Sequence, residues 1–108
     1  MKNLLAYDES LHLIRLLVPV AVRLRSRHAE LFRQLRRAAS SVTLNLAEGA
    51  GRQGADRQQH WRIARGSALE VEAILRTAEA WGDLDERSVE GVHAVLDRVL
   101  RLTRGLTR

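Results

Sequence analysis

The sequence contains no cysteine, which excludes disulfide bonds and thiolate metal sites. The fold must therefore rest on apolar packing and hydrogen bonds. A chain of 108 residues can bury one hydrophobic core and has no room for a second. We expect one domain that spans residues 1–108.

Long apolar runs are also absent. The most apolar part of the chain lies between Leu11 and Leu24, where the longest run without a charged residue is Leu16–Val22. A membrane-spanning helix needs roughly 20 such residues, and no small-residue cleavage site follows the run. These features predict a cytoplasmic protein without a membrane partner.

The sequence contains a single proline, Pro19, and no alternation of apolar and polar residues that is typical of a strand. Alanine, leucine, arginine and glutamate dominate, and these residues favour helices. Apolar residues recur at steps of three and four, which predicts four helices. Their expected bounds are Asp8 or Ser10 to about Arg25, about Ala29 to Ala50, Asp56 to Trp81, and Asp83 or Asp85 to the C-terminal segment.

Short turns join the predicted helices, and short turns make neighbouring helices antiparallel. The predicted fold class is therefore all-α, an antiparallel up-down four-helix bundle. The first helix is apolar on more than one side, and Leu44 lies on the outward side of the second. One small bundle cannot cover these surfaces, so we expect a homo-oligomer.

Polar residues interrupt the facing sides of the second and third helices. Folding one helix onto the other places Asn45 opposite Arg62 or Ile63, and Ser41 opposite Gly66 and Ser67. We expect Gly66 to permit close approach of the two backbones, with His60 and Ile63 inward and Leu69 outward. Arg37 with Glu70, and Glu48 with Arg52, are the expected ion pairs. The predicted structural polar seam consists of Ser41, Asn45, Glu48, Gly66, Ser67 and Glu70.

Catalytic motifs are missing. The four histidines lie on separate elements, and no Glu-x-x-His motif supports a metal site in the bundle. The serines lack a Gly-x-Ser-x-Gly turn, and the segment Gly51–Gly54 lacks the lysine and spacing of a phosphate-binding loop. We expect no enzymatic activity, no metal and no cofactor.

Charge is unevenly distributed behind the net value of +5. Eleven arginines lie between Arg15 and Arg65, opposed by three carboxylates, whereas seven carboxylates face two arginines between Glu72 and Asp97. Such a basic region is either a set of solvated helix faces or a surface for phosphates. The candidate nucleic-acid contacts are Arg33, Arg36, Arg37, Arg52, Arg62 and Arg65.

Three segments in the centre of the chain carry a resemblance to a known family. Gln34–Val42, Asn45–Arg52 and Ala64–Glu70 resemble the signature of the four-helix-bundle proteins encoded in intervening sequences of bacterial 23S rRNA genes. Their fold is shared with the accessory variability proteins of diversity-generating retroelements. The resemblance implies a ring-shaped homopentamer without recognised catalytic activity. For the retroelement branch it also implies binding of nucleic acid and of a reverse transcriptase.

Two functions remain open from the sequence. The leading hypothesis is a non-catalytic oligomeric scaffold whose arginines bind RNA or DNA through phosphates. With four aromatic residues in the chain, base stacking contributes little, so binding should be salt-sensitive and weakly sequence-selective. The alternative is a protein–protein adaptor without a nucleic-acid role, whose arginines meet acidic partners. The acidic groups of a neighbouring subunit would then be Glu72, Glu79, Asp83 and Glu86.

Overall fold

Four α-helices make up most of residues 4–108, the part of the chain that the computed structural model describes. No strand occurs in this range, so the all-α prediction is confirmed. The helices are α1 (Leu5–Arg27), α2 (Ala29–Ala50), α3 (Gly54–Trp81) and α4 (Glu86–Leu106). Helices α1 and α3 each pack against both α2 and α4, in a body of 42 × 22 × 20 Å. None of these helices has the length and apolar character that crossing a membrane requires.

The core is built from the inward stripes that the three- and four-residue steps predict. Its largest fully buried aliphatic side chains come from all four helices and from the α3–α4 turn: Leu13, Leu24, Leu35, Leu46, Leu75, Leu84 and Leu96, with Val42, Val71, Val89 and Val99. Ile63, expected inward, is 42% exposed, so that prediction is wrong. The reason is its position beside the buried Ala64, because one residue turns a helix by about 100°.

The turn between α3 and α4 follows its local sequence signals. Gly82 ends α3 in the left-handed conformation with φ +80°, which glycine adopts without steric cost. Asp85 then caps α4, because its carboxylate accepts a hydrogen bond of 2.8 Å from the Ser88 N–H. This hydrogen bond is the largest of the interactions that lower the pKa of Asp85.

The predicted caps of α1 and α3 are wrong. Helix α1 begins before Asp8, and Ser10 is buried within it, where its hydroxyl lies 2.8 Å from that of Thr43 on α2. Helix α3 begins at Gly54, and Asp56 in its first turn pairs with Arg52 at 2.8 Å instead of capping. Ser10 thus meets a residue of another helix, whereas Asp56 meets a residue of the preceding turn, and neither side chain acts as a cap.

Candidate nucleic-acid interface

A hydrogen-bonded network joins α2 to α3 at the predicted seam. The Ser67 hydroxyl donates to the Ser41 hydroxyl at 2.8 Å, and the Asn45 side-chain NH₂ donates to the same oxygen at 3.1 Å. Asn45 Oδ1 lies 3.0 Å from His60 Nδ1, and because Oδ1 can only accept, His60 Nδ1 donates. Nε2 of the same ring faces Asp56 at 3.9 Å. The polar side chains of the seam thus satisfy one another.

Ion pairs lie on either side of this network. Arg37 meets Glu70 at 3.4 Å, and Arg52 meets Glu48 at 2.6 Å. The Arg52 guanidinium donates to the carboxylates of Asp56 and Glu48, and these hydrogen bonds raise the pKa of Arg52 and lower that of Glu48. All of these side chains are exposed, so each pair contributes little to stability.

The expected close approach of backbones at Gly66 is wrong. Gly66 is exposed, and nothing lies within 4 Å of the position that its Cβ atom would occupy. The seam is closed by hydrogen-bonding side chains at this level, and the backbones stay apart. The close contact between the two helices lies nearer the turn, at Gly49, where a Cβ atom would meet the indole of Trp61 at 2.6 Å.

Arg57 and Trp61 of α3 contact the C-terminal end of α2. The Arg57 guanidinium donates to two carbonyls of the last turn of α2, those of Gly49 at 3.1 Å and Ala50 at 3.2 Å. The Gly49 carbonyl also accepts from the Arg52 N–H at 3.1 Å. It also lies over the Trp61 ring, 5.2 Å from the centroid. This contact was not predicted from the sequence. A glycine before the turn and an aromatic residue shortly after it could have indicated it.

Three of the six candidate arginines are engaged with carboxylates of the same chain. Besides Arg37 and Arg52, Arg33 pairs with Glu30 at 2.8 Å, and this hydrogen bond lowers the pKa of Glu30. Arg36, Arg62 and Arg65 form no ion pair with any residue between 4 and 108. Nη1 of Arg65 is buried and has no hydrogen-bond partner in that range.

The six arginines do not form one cluster. Arg33 lies about 27 Å from the α2–α3 turn along the helix axis, whereas Arg62 lies about 14 Å from it, at 1.5 Å per residue. Arg36 lines a groove between α1 and α2, and Arg52 lies at the turn itself. The basic surface is therefore distributed along the bundle, and it does not form a pocket for one phosphate.

The sequence reasoning left the arginines of α1 out of the site. Arg25 and Arg27 are exposed at the end of α1 and form no ion pair with the described residues, and Arg25 lies over the Phe32 ring of α2. Arg15, earlier in α1, is exposed and unpaired in the same sense. The alternation Arg23, Arg25, Arg27 before the α1–α2 turn was the signal for this end of the basic surface.

Comparison with known proteins agrees with this arrangement of helices. A model of the family described as 23S rRNA-intervening sequence protein matches residues 2–105. The chain belongs to this family. This confirms the resemblance carried by the central segments, and the 23S rRNA-intervening sequence protein family is thus the one identity that the comparisons establish.

A solved structure has the same fold. It is a crystal structure of a protein with unknown function from the S23 ribosomal protein family of Bacteroides thetaiotaomicron VPI-5482. The two structures superpose with a TM-score of 0.84 at 21% identity, over 96% of this chain and 99% of the other. At this identity the similarity supports the fold alone. Comparison with curated proteins finds no match.

Proposed function

We propose that this member of the family is a non-catalytic oligomeric scaffold that binds RNA or DNA through phosphate contacts. In this proposal each protomer is an antiparallel up-down bundle, and the protomers form a ring-like homo-oligomer, a pentamer by family resemblance. The scaffold acts in the cytoplasm and uses no cofactor.

The order of contacts between α2 and α3 supports the antiparallel arrangement. Arg37 meets Glu70, Ser41 meets Ser67 and Asn45 meets His60, so partner numbers fall along α3 as residue numbers rise along α2. The exposed aliphatic surface supports self-assembly, since Val18 is 57%, Val22 54% and Leu44 66% exposed. Surfaces of this kind on small proteins mark sites of association.

The observation that carries the nucleic-acid proposal is the excess of arginines without carboxylate partners. Of the eleven arginines between Arg15 and Arg65, four form ion pairs within the described chain, which leaves seven without one. The five pairs that these four arginines form are exposed and therefore weak, so phosphates can compete for those guanidinium groups as well. Non-specific nucleic-acid binding needs this kind of distributed positive surface.

The adaptor remains the second candidate because unpaired acidic groups are also present. Asp83 and Glu86 form no ion pair with residues 4–108, which leaves them available to basic groups of another protein, including a reverse transcriptase. An adaptor would bind such a partner and have no affinity for nucleic acid.

A salt titration separates the two functions. The test variant replaces the exposed, unpaired Arg27 and Arg62 by Gln, and the control replaces Arg76 and Arg87 in the acidic region by Gln, with the same change in net charge. Binding of wild type to mixed-sequence RNA or DNA should weaken steeply with salt, because neutralised phosphates release counterions. We expect the test variant to lower the log–log slope by about 0.7 to 0.9 per lost contact and the control to leave it unchanged. No binding at about 50 mM salt, or equal slopes, favours the adaptor.

A further inference from the structure

A groove of about 240 Å³ runs along the surface between α1 and α2. Its walls are mostly apolar and include Ile14, Val18 and Ala21 from α1 and Phe32 and Ala39 from α2. Val22, one turn beyond Val18 on α1, extends the apolar surface past the groove. The groove has room for one large side chain, and nothing within residues 4–108 fills it.

The charged groups at the groove are all positive. Arg36 forms part of its wall, Arg25 lies over the Phe32 ring at 5.8 Å, and Arg15 follows Ile14 on α1. None of the three forms an ion pair with the described residues. Two copies that met groove to groove would place these arginines opposite one another, which electrostatics disfavours. An acidic surface with an apolar projection is the complementary partner.

This chain carries such a surface where α3 meets α4. Trp81, the last residue of α3, is 74% exposed. Five carboxylates and two arginines lie between Arg76 and Glu90, and Asp83, Glu86 and Glu90 form no ion pair with residues 4–108. Tryptophan is enriched among the residues that contribute most to binding at protein interfaces, because its large side chain buries roughly 150–250 Å².

We propose that Trp81 of one copy inserts into the α1–α2 groove of the next. The Arg36 guanidinium then lies against the indole, and the two groups attract each other through a cation–π interaction. Asp83 and Glu86 face Arg15 and Arg25. The contact joins two different surfaces, so repetition closes a ring or extends a filament. This inference rests on the self-assembly proposed above and names the two faces that meet.

The first test compares two exposed apolar residues of α3. Trp81→Ala should weaken assembly at least tenfold in sedimentation experiments at micromolar concentration, whereas Leu69→Ala, on an exposed side of the same helix, should leave it unchanged. Trp81 is exposed, so circular dichroism of its variant should match wild type. Charge exchange gives a second test, because Arg25→Glu and Glu86→Arg should each weaken assembly, and the double variant should restore it.

The absence of cysteine permits a direct third test. A mixture of Ser40→Cys, in the groove wall, and Asp83→Cys should form a disulfide between copies on mild oxidation. A mixture of Ser40→Cys and Leu69→Cys should not. A wild-type monomer would overturn both this inference and the proposed assembly. This inference alone would be overturned if wild type is oligomeric, Trp81→Ala leaves assembly unchanged, and the Ser40→Cys and Asp83→Cys variants form no cross-link.

Discussion

Gly49 of α2 lies directly against the indole of Trp61 on α3, with no room for a side chain between them. A Cβ atom on Gly49 would lie 2.6 Å from both Cδ1 and Nε1 of the ring and 3.2 Å from the Arg57 carbonyl oxygen. The indole is held in place, because Nε1 donates to the Leu46 carbonyl at 3.4 Å and the Arg57 guanidinium lies over the ring. The close packing of α2 on α3 therefore depends on glycine at this position.

We expect Gly49→Ala to lower the free energy of unfolding by about 1–3 kcal/mol, because the added methyl group overpacks this contact. Urea unfolding followed by circular dichroism measures the loss. Gly51→Ala is the matched control, since its Cβ atom would lie 3.7 Å from the nearest atom, the Glu48 carbonyl oxygen. Equal stability of the two variants would contradict the close contact.

Gly66 should respond in the opposite direction. It lies in the middle of α3 with open space around it, and a glycine in a helix interior costs roughly 0.5–1 kcal/mol relative to alanine. Gly66→Ala should therefore raise the melting temperature. Ala73→Gly, at an exposed position of the same helix, should lower it by a similar amount. A loss of stability in Gly66→Ala would mean that another subunit contacts this surface.

The hydrogen bond between Asn45 and His60 should appear as an energetic coupling. A double-mutant cycle with Asn45→Ala and His60→Ala should give a coupling free energy of about 0.5–1.5 kcal/mol, because each single variant leaves a partly buried polar group without its partner. A cycle of Asn45→Ala with Gln59→Ala, at an exposed neighbouring position, should be additive. Additivity in both cycles would rule out a stabilising bond.

The cap of α4 should make stability depend on pH below about pH 4, the ordinary pKa of aspartate. The Ser88 N–H lowers the pKa of Asp85 in the folded protein. Its stabilising effect is therefore complete above the unfolded-state pKa and is lost as the pH falls through the folded-state value. Asn is also a good cap but does not titrate.

Unfolding of wild type and Asp85→Asn should be compared between about pH 3 and pH 6. We expect the difference in stability between the two proteins to be constant at about pH 6. At about pH 3 wild type should lose stability relative to Asp85→Asn. The pKa values of Glu30 and Glu48 are also lowered, but this affects both proteins equally and cancels in the comparison. A constant difference throughout would contradict the cap.

The sequence alone determined the features that depend on near neighbours in the chain. The apolar steps of three and four predicted an all-α fold, and α2 has the predicted bounds, Ala29–Ala50. Gly82 and Asp85 act as the predicted stop and cap, because each requires the backbone of its own turn. The pairs Glu48 with Arg52 and Arg37 with Glu70 also follow from one helix step and from one hairpin register.

The tertiary structure decided which side chains meet across helices. Ser10 has the residue type of a cap, yet Thr43 lies beside it in the interface of α1 and α2. Gly66 and Gly49 are equally plausible contacts in the sequence, and only the rotation of α3 about its axis brings Trp61 onto Gly49 and leaves Gly66 open. Apolar periodicity defines the rotation of a helix about its axis only within tens of degrees. A contact between two atoms requires their positions to be correct within about an ångström.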